Sequence, residues 1–431
     1  MYVAVIAVLL WARADAAQLS LRREPPDSGP AVLLTRRQAI EEAIQHNPQL
    51  EAAREEVGQA RARVVQATAL PDPSLSGSLE DQSGVLAPRS AGTRGLGLGL
   101  SIPFPDKIRL RGKVAGADVR AAQLSVTQLE QVIGAQTAQS YDALLVAQRH
   151  VRDLTDARDL ANDFVKKTQA RYEGGTAAKL DVIKAKVDAS QVQNDLISAE
   201  RDIANARVAL NRLLGRAPGG SVEPADTLAP PPPLPALEGL RLRAASNRPE
   251  VRTLVAQRQG ARAATSLARE FWVPDLDIGV VRNHSPGSAA AFETDVGIGF
   301  PLFFWQHGRG EVAEASHRER ELAATARDMS AQVEQEVRSA YADAETALRQ
   351  VAHIRDELLP EAQEAYRIAS VSYGLGGSSA LDVLDAKRAL IDAQSQLAEA
   401  LGAANDAMAQ LELAVGGPLQ PTPSAGDSHD R

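Results

Sequence analysis

Two aspartates near the C-terminus, Asp382 and Asp385, stand three positions apart just after a glycine-rich turn, so on a helix they share one face. Carboxylates so placed can attract cations, or can stabilise the first turns of a helix through its dipole. A twin of this stretch lies roughly 200 residues earlier, where Asp181 matches Asp382 but Lys184 stands in place of Asp385. Other chemistry is thin. The histidines, His46, His150, His284, His307, His317, His353 and His429, are scattered rather than set at metal-ligand spacing, and are expected on the surface. Cysteine is absent, which removes disulfides, thiolate ligands and cysteine nucleophiles. No nucleophile can be grouped with a base and an orienting acid, so no enzyme is expected. No cofactor is expected either, because Gly95, Gly97 and Gly99 alternate with leucine ahead of Pro103, unlike a dinucleotide loop.

The elements that must position these residues are long. Tyr172, Gly175, Leu180-Asp181-Val182 and Ala185-Lys186 match Tyr373, Gly376, Leu381-Asp382-Val383 and Ala386-Lys387 without a gap, which makes the chain an internal duplication. Gly174, Gly175, Gly376 and Gly377 read as turn glycines needing positive φ between antiparallel helices. Tyr172 and Tyr373 read as packing groups of the two tips, with latch groups as the alternative. Repeat one is expected over 36–220: Thr35 caps a helix, Pro48 opens another, a hairpin covers 74–102, a long helix 104–172, and a return helix 178–214. A proline-rich linker, 221–238, is expected to space the halves without folding. Repeat two, 239–417, repeats the order, with a hairpin at 275–300, a helix over 308–373 interrupted at Leu358-Leu359-Pro360, and a helix over 380–415. Residues 1–16, with an apolar run from Tyr2 to Leu10 and small residues at Ala14 and Ala16, read as an export signal. An extended segment over 17–35 and a disordered tail over 418–431 complete the expectation.

Between the helices the period changes to two. Leu75 and Leu79 alternate with Ser74, Ser76 and Ser78; Leu96, Leu98 and Leu100 alternate with glycine; Leu276, Ile278, Val280, Val296, Ile298 and Phe300 continue one apolar face. Four strands with one wholly apolar face need a partner, and lipid is the partner that asks for closure into a barrel. Three copies contributing four strands each would close twelve. The fold class expected is therefore mainly α with a membrane β-barrel, and the long helix, on the order of 100 Å at 1.5 Å per residue, must project from it. Alanine-rich helices with only 4% aromatic residues suit close seams between such helices. A net charge of −8 without a basic block gives no reason to expect nucleic acid. The rival reading is a soluble periplasmic coiled-coil adaptor or scaffold, which explains the helices but not the apolar strand faces.

From roughly Gln38 to Gly417 the chain resembles the outer-membrane efflux channel family, the TolC-like exit ducts of Gram-negative tripartite pumps. The duplication carries the resemblance, with the strand starts at Pro73 and Pro274, the strand ends at Pro103 and Pro301, and Leu359-Pro360-Glu361-Ala362 ahead of Tyr373. Asn47-Pro48 and Leu70-Pro71-Asp72-Pro73 are most similar to its heavy-metal efflux branch. The resemblance implies a homotrimer whose α-helical barrel, in the periplasm, continues a twelve-stranded β-barrel in the outer membrane. It implies a passive duct for metal ions or small molecules, opened at its tip by a periplasmic adaptor and fed by an inner-membrane pump. Carried onto this sequence, Asp382, Asp385, Asp181 and Lys184 ring the aperture, with Lys184 softening the negative field on its half. Tyr172, Gly174, Gly175, Thr176, Tyr373, Gly376, Gly377 and Ser378 meet the adaptor, where small residues permit close approach. The lipoprotein cysteine of many relatives is absent, so lipid anchoring is not expected.

Overall fold

A computed structural model describes residues 32–80, 93–284, 289–299 and 304–419; the expected export signal, Phe300 and nearly all of the expected tail lie outside these. A short strand β1 (Val32–Leu34) leads into helices α1 (Arg36–His46) and α2 (Pro48–Thr68), then strands β2 (Ser74–Glu80) and β3 (Thr93–Ile102). Helix α3 (Pro105–Glu173) runs 69 residues without a break, and α4 (Lys179–Leu213) returns beside it. After β4 (Val222–Pro224), the second half follows as α5 (Leu237–Asn247), α6 (Pro249–Arg269), β5 (Leu276–His284), β6 (Ala291–Ile298), α7 (Phe304–His353), α8 (Leu359–Leu375) and α9 (Ala380–Val415). The helical period is interrupted between α7 and α8 by one π-helical turn, Ile354–Leu358. Pro360 stands at the second position of α8, just past this turn; it cannot donate to the preceding turn, and a widened turn accommodates its ring.

Local chemistry sets the helix ends. The Thr35 hydroxyl accepts from the Gln38 N–H at 3.3 Å while Gln38 Oε1 accepts from the Thr35 N–H at 2.9 Å, a capping box. Asn47 Oδ1 accepts from the Gln49 N–H at 2.9 Å, with Pro48 at the first helical position. The duplication holds at this scale too. Gly175 (φ 75°) and Gly376 (φ 87°) take the left-handed turn at the two tips, and Gly215 (φ 71°) and Gly416 (φ 80°) take it at the ends of α4 and α9. Asn47 Nδ2 donates to the Leu213 carbonyl at 2.9 Å, closing the end of α4. Its counterpart Arg248 donates to the Leu413 carbonyl at 3.0 Å and closes the end of α9. Gly174 (φ −78°) and Gly377 lie outside the left-handed region, so only one glycine of each pair is needed for the turn.

The linker is not a passive spacer. Val32, Leu33 and Leu34 pair in parallel with Val222, Glu223 and Pro224. Val222 is buried with Leu34, Tyr141 and Leu210, and burying this apolar group draws the segment onto the helices. Asp226 completes the anchor: its carboxylate accepts from the Arg36 N–H at 2.7 Å and from the Tyr141 hydroxyl at 2.8 Å. The core is drawn out along the helices, with Leu50, Ile133, Tyr141 and Leu144 in the first half and Leu240, Val333, Val337 and Leu411 in the second.

The two hairpins form one antiparallel sheet in the order β2-β3-β5-β6. Leu75 stands opposite Leu98, and Leu98 opposite Val280. Ser76 stands opposite Gly97, and Gly97 opposite Val281. The two faces therefore stay segregated across the strands. Strands β2 and β6 are unpaired edges running in opposite directions, so copies of the chain can continue the antiparallel alternation edge to edge.

Candidate functional site

The tips are built around Tyr373. Its ring is buried against Phe164 with centroids 5.3 Å apart, and the Arg171 guanidinium lies 4.4 Å above it. Arg171 also donates to the Tyr373 carbonyl, joining the α3 tip to the α8 tip. Ala185, Val383 and Leu384 complete the cluster. The Tyr373 hydroxyl is buried and has no hydrogen-bond partner among the described residues. Tyr172, by contrast, is 40% exposed, so the expectation of twin packing tyrosines holds for Tyr373 alone. On the first tip it is Arg171 that packs across the gap onto Tyr373, while the neighbouring Tyr172 stays exposed. Gly174, Gly175, Thr176, Gly376 and Gly377 are exposed, and the Ser378 hydroxyl donates to the Ala369 carbonyl at 3.0 Å.

The acidic pair divides in role. Asp382 occupies the third position of α9, and its carboxylate accepts from the Ser379 N–H at 2.8 Å in a capping box. That backbone bond, helped by the Ser379 hydroxyl, holds the Asp382 carboxyl below the usual carboxylate range. Asp385 is exposed, with Arg388 Nη1 at 3.8 Å. On the first repeat Asp181 is half-buried and Lys184 exposed. A short way up from the tips, the fully buried Lys387 ammonium on α9 pairs with the buried Asp188 carboxylate on α4. This bond crosses between repeats. Its sequence twin Lys186 is exposed, so the motif match carried no sign of it.

On the sheet, Leu75, Leu96, Leu98, Leu276, Ile278, Val280, Val296 and Ile298 share one exposed face. Leu100, opposite Ile278, has the same facing, and Leu79 takes its place by register opposite Arg94. The other face is lined by Ser74, Ser76, Gly95, Gly97 and Gly99, and it is crowded: a Cβ on Gly97 would meet Ser76 Oγ at 2.8 Å and Val281 at 3.2 Å. Asp277, Glu293 and Asp295 belong to this face by register, and Asn283 Nδ2 donates to Glu293 at 2.9 Å. Exposed aromatics bracket the apolar face, Phe104 and Trp272 at the helical end and Phe292 at the far end. Sequence reasoning passed over these aromatics, although their position just outside the alternating segments was the sign to use. It also passed over His353, whose Nδ1 lies 3.1 Å from Glu357 one turn on, against the expectation that no histidine shares a face with another ligand. Two groups are too few for a metal, and no cluster of three suitable ligands exists among the described residues.

A family model described as an outer membrane efflux protein matches residues 39–216 and 240–417, one match to each repeat. The cobalt-zinc-cadmium resistance protein CzcC of Cupriavidus metallidurans is 25% identical over 392 residues, covering 89% of this chain and 90% of that protein. A crystal structure of CusC superposes with a TM-score of 0.74 at 20% identity, over 92% of this chain and 96% of that one. The outer membrane protein VceC of Vibrio cholerae superposes with a TM-score of 0.73 at 21% identity, over 89% and 97% of the two chains.

Proposed function

The chain belongs to the outer membrane efflux protein family, and from that premise we propose that its trimer is a passive duct for cations, metal ions among them, opened at its tips by a periplasmic adaptor. The family's members are channels and not enzymes, and their fold is a trimeric α-helical barrel continuous with a β-barrel. The observation that carries the cargo reading is the two-faced sheet. Its apolar face suits lipid, and its inner face offers serine, glycine, Asp277, Glu293 and Asp295, while the described strand arginines, Arg94 and Arg282, have the opposite parity. A lumen of that sign raises the local concentration of cations and disfavours anions.

The aperture reading rests on Asp385 and, less directly, on Asp382, whose carboxylate is shared with the cap. Repeated by the trimer, these carboxylates would ring the narrow end, and Lys184 would weaken the field from the first repeat. The glycine turns, exposed and small, would receive the hairpin tips of an adaptor coupled to an inner-membrane pump. The cobalt-zinc-cadmium resistance named for the Cupriavidus metallidurans relative fits a cationic cargo. Planar-bilayer recordings test the reading: the reversal potential in a salt gradient should show cation preference, and Asp382→Ala with Asp385→Ala should reduce it. An unchanged preference would sink the aperture assignment. Recovery of the chain from the periplasm without detergent would instead favour a soluble scaffold.

A further inference from the structure

The far end of the outward sheet face changes character abruptly. Leu96 stands opposite Arg282, Arg282 opposite Phe292, and Arg94 opposite His284, so Arg94, Arg282 and His284 continue the same face as Leu98, Val280 and Val296. All three are exposed. The strand acids Asp277, Glu293 and Asp295 have the opposite parity and face inward. Charge is thus sorted by face as cleanly as apolarity is.

Arg94 and Arg282 are diagonal neighbours on paired strands, about 7–8 Å apart at Cα. Two guanidiniums so close repel each other, and the contact found for Arg282 among the described residues is with a ring and not with a carboxylate. The Arg282 guanidinium lies 5.4 Å above the Phe292 ring, which holds it at the edge of the apolar band. From Val280 to Arg282 is one two-residue step, about 6.8 Å along an antiparallel strand. The guanidiniums therefore begin in the last apolar row, beside Leu96 and Phe292, at the end of the sheet away from the helices, where a headgroup would lie if the leucine face meets hydrocarbon.

We propose that Arg94 and Arg282, with Phe292 as a platform, form a seat for the phosphate of an anionic lipid headgroup in the outer leaflet, one seat per protomer. This rests on the reading of the leucine face as lipid-facing. The chemistry is specific: a phosphomonoester accepts from both guanidiniums at once and removes their mutual repulsion, while the acyl chains lie along Leu96, Leu98 and Val280. A zwitterionic headgroup satisfies the pair less well, because its own ammonium is carried into the same space.

The test uses the full chain purified as its trimer in detergent, with phosphorylated lipid A and chemically dephosphorylated lipid A as probes, read by native mass spectrometry. Phosphorylated lipid A is expected to bind at least tenfold more tightly than the dephosphorylated form. Arg94→Gln with Arg282→Gln is expected to remove that preference, Arg94→Lys with Arg282→Lys to keep most of it, and Arg327→Gln, on exposed α7 surface, to leave it intact. Excess inorganic phosphate should compete only weakly, because it lacks the acyl chains. Equal binding of the two lipids, or a preference that survives the double glutamine variant, overturns the seat while leaving the channel reading in place. A chain that forms conducting trimers but shows no lipid preference does the same. Failure to insert into bilayers at all removes both.

Discussion

Gly376 holds φ at 87° at the end of α8, and a Cβ there is strained even though space is open apart from Arg171 at 3.9 Å. Gly376→Ala is therefore expected to destabilise the chain by about 1–2 kcal/mol, the cost of forcing an L-residue into the left-handed region. Gly374→Ala, inside α8 with open space around it, should instead be neutral or stabilising. Thermal melting of both variants in detergent checks the difference. The twin motif made Gly175 and Gly376 legible in sequence, but it could not separate them from Gly174 and Gly377, because backbone angles are not written in residue type. Asp406 was wholly silent. Burial, with the nearby Asp142 charge and against Arg36, pushes its carboxyl up to about 6, and its Oδ1 has no partner among the described residues. The folded pKa lies above the unfolded value, so the protonated group fits the fold and stability falls as pH rises through that window. Asp406→Asn should raise the melting temperature at about pH 8, and the gain should shrink toward about pH 4. A gain independent of pH would place its origin elsewhere.

Between elements, the informative bond is Lys387 to Asp188, which pins α9 to α4 across the repeats. Removing one partner strands a buried charge, so Lys387→Met is expected to cost about 3–5 kcal/mol. Lys387→Met with Asp188→Leu should recover most of that, since a packed apolar pair replaces an expensive ionic one. Denaturant melts of the two single variants and the double variant form the cycle; additive losses would show that the pair is not coupled. Sequence periodicity recovered the helices because their apolar and alanine residues recur every three or four positions, and because Thr35, Pro48 and Pro249 mark where helices start. Periodicity did not recover which lysine is buried. Lys186 and Lys387 occupy twin positions, and only the docking of one repeat on the other distinguishes them. The linker failed for the same reason: its prolines advertise an extended chain, while Val222 and Asp226 find partners contributed by distant residues.

For the whole molecule, the question is which sheet face meets lipid. One chain leaves β2 and β6 as open edges, and an open edge is not tolerated in hydrocarbon, so the outward face exists in its working form only after three chains close. The apolar stripe on α4, Leu180, Ile183, Val187, Ile197 and Val208, is exposed in one chain and offers a seam for the same closure. Leu98 lies in the middle of the outward face on an interior strand, paired on both sides. Leu98→Arg should therefore cost about 2–4 kcal/mol at the bilayer midplane and reduce the yield of heat-resistant trimer on unheated gels. Ser101 has the opposite parity, beside Asp277, and Ser101→Arg should leave the trimer yield intact while lowering cation preference in planar bilayers. The two changes introduce the same side chain within the same strand, so overall charge and bulk cannot account for a difference between them. If both reduce trimer yield equally, the assignment of faces is wrong; if Ser101→Arg alone does so, the sheet is inside out, and both the acidic lumen and the arginine seat fall with it.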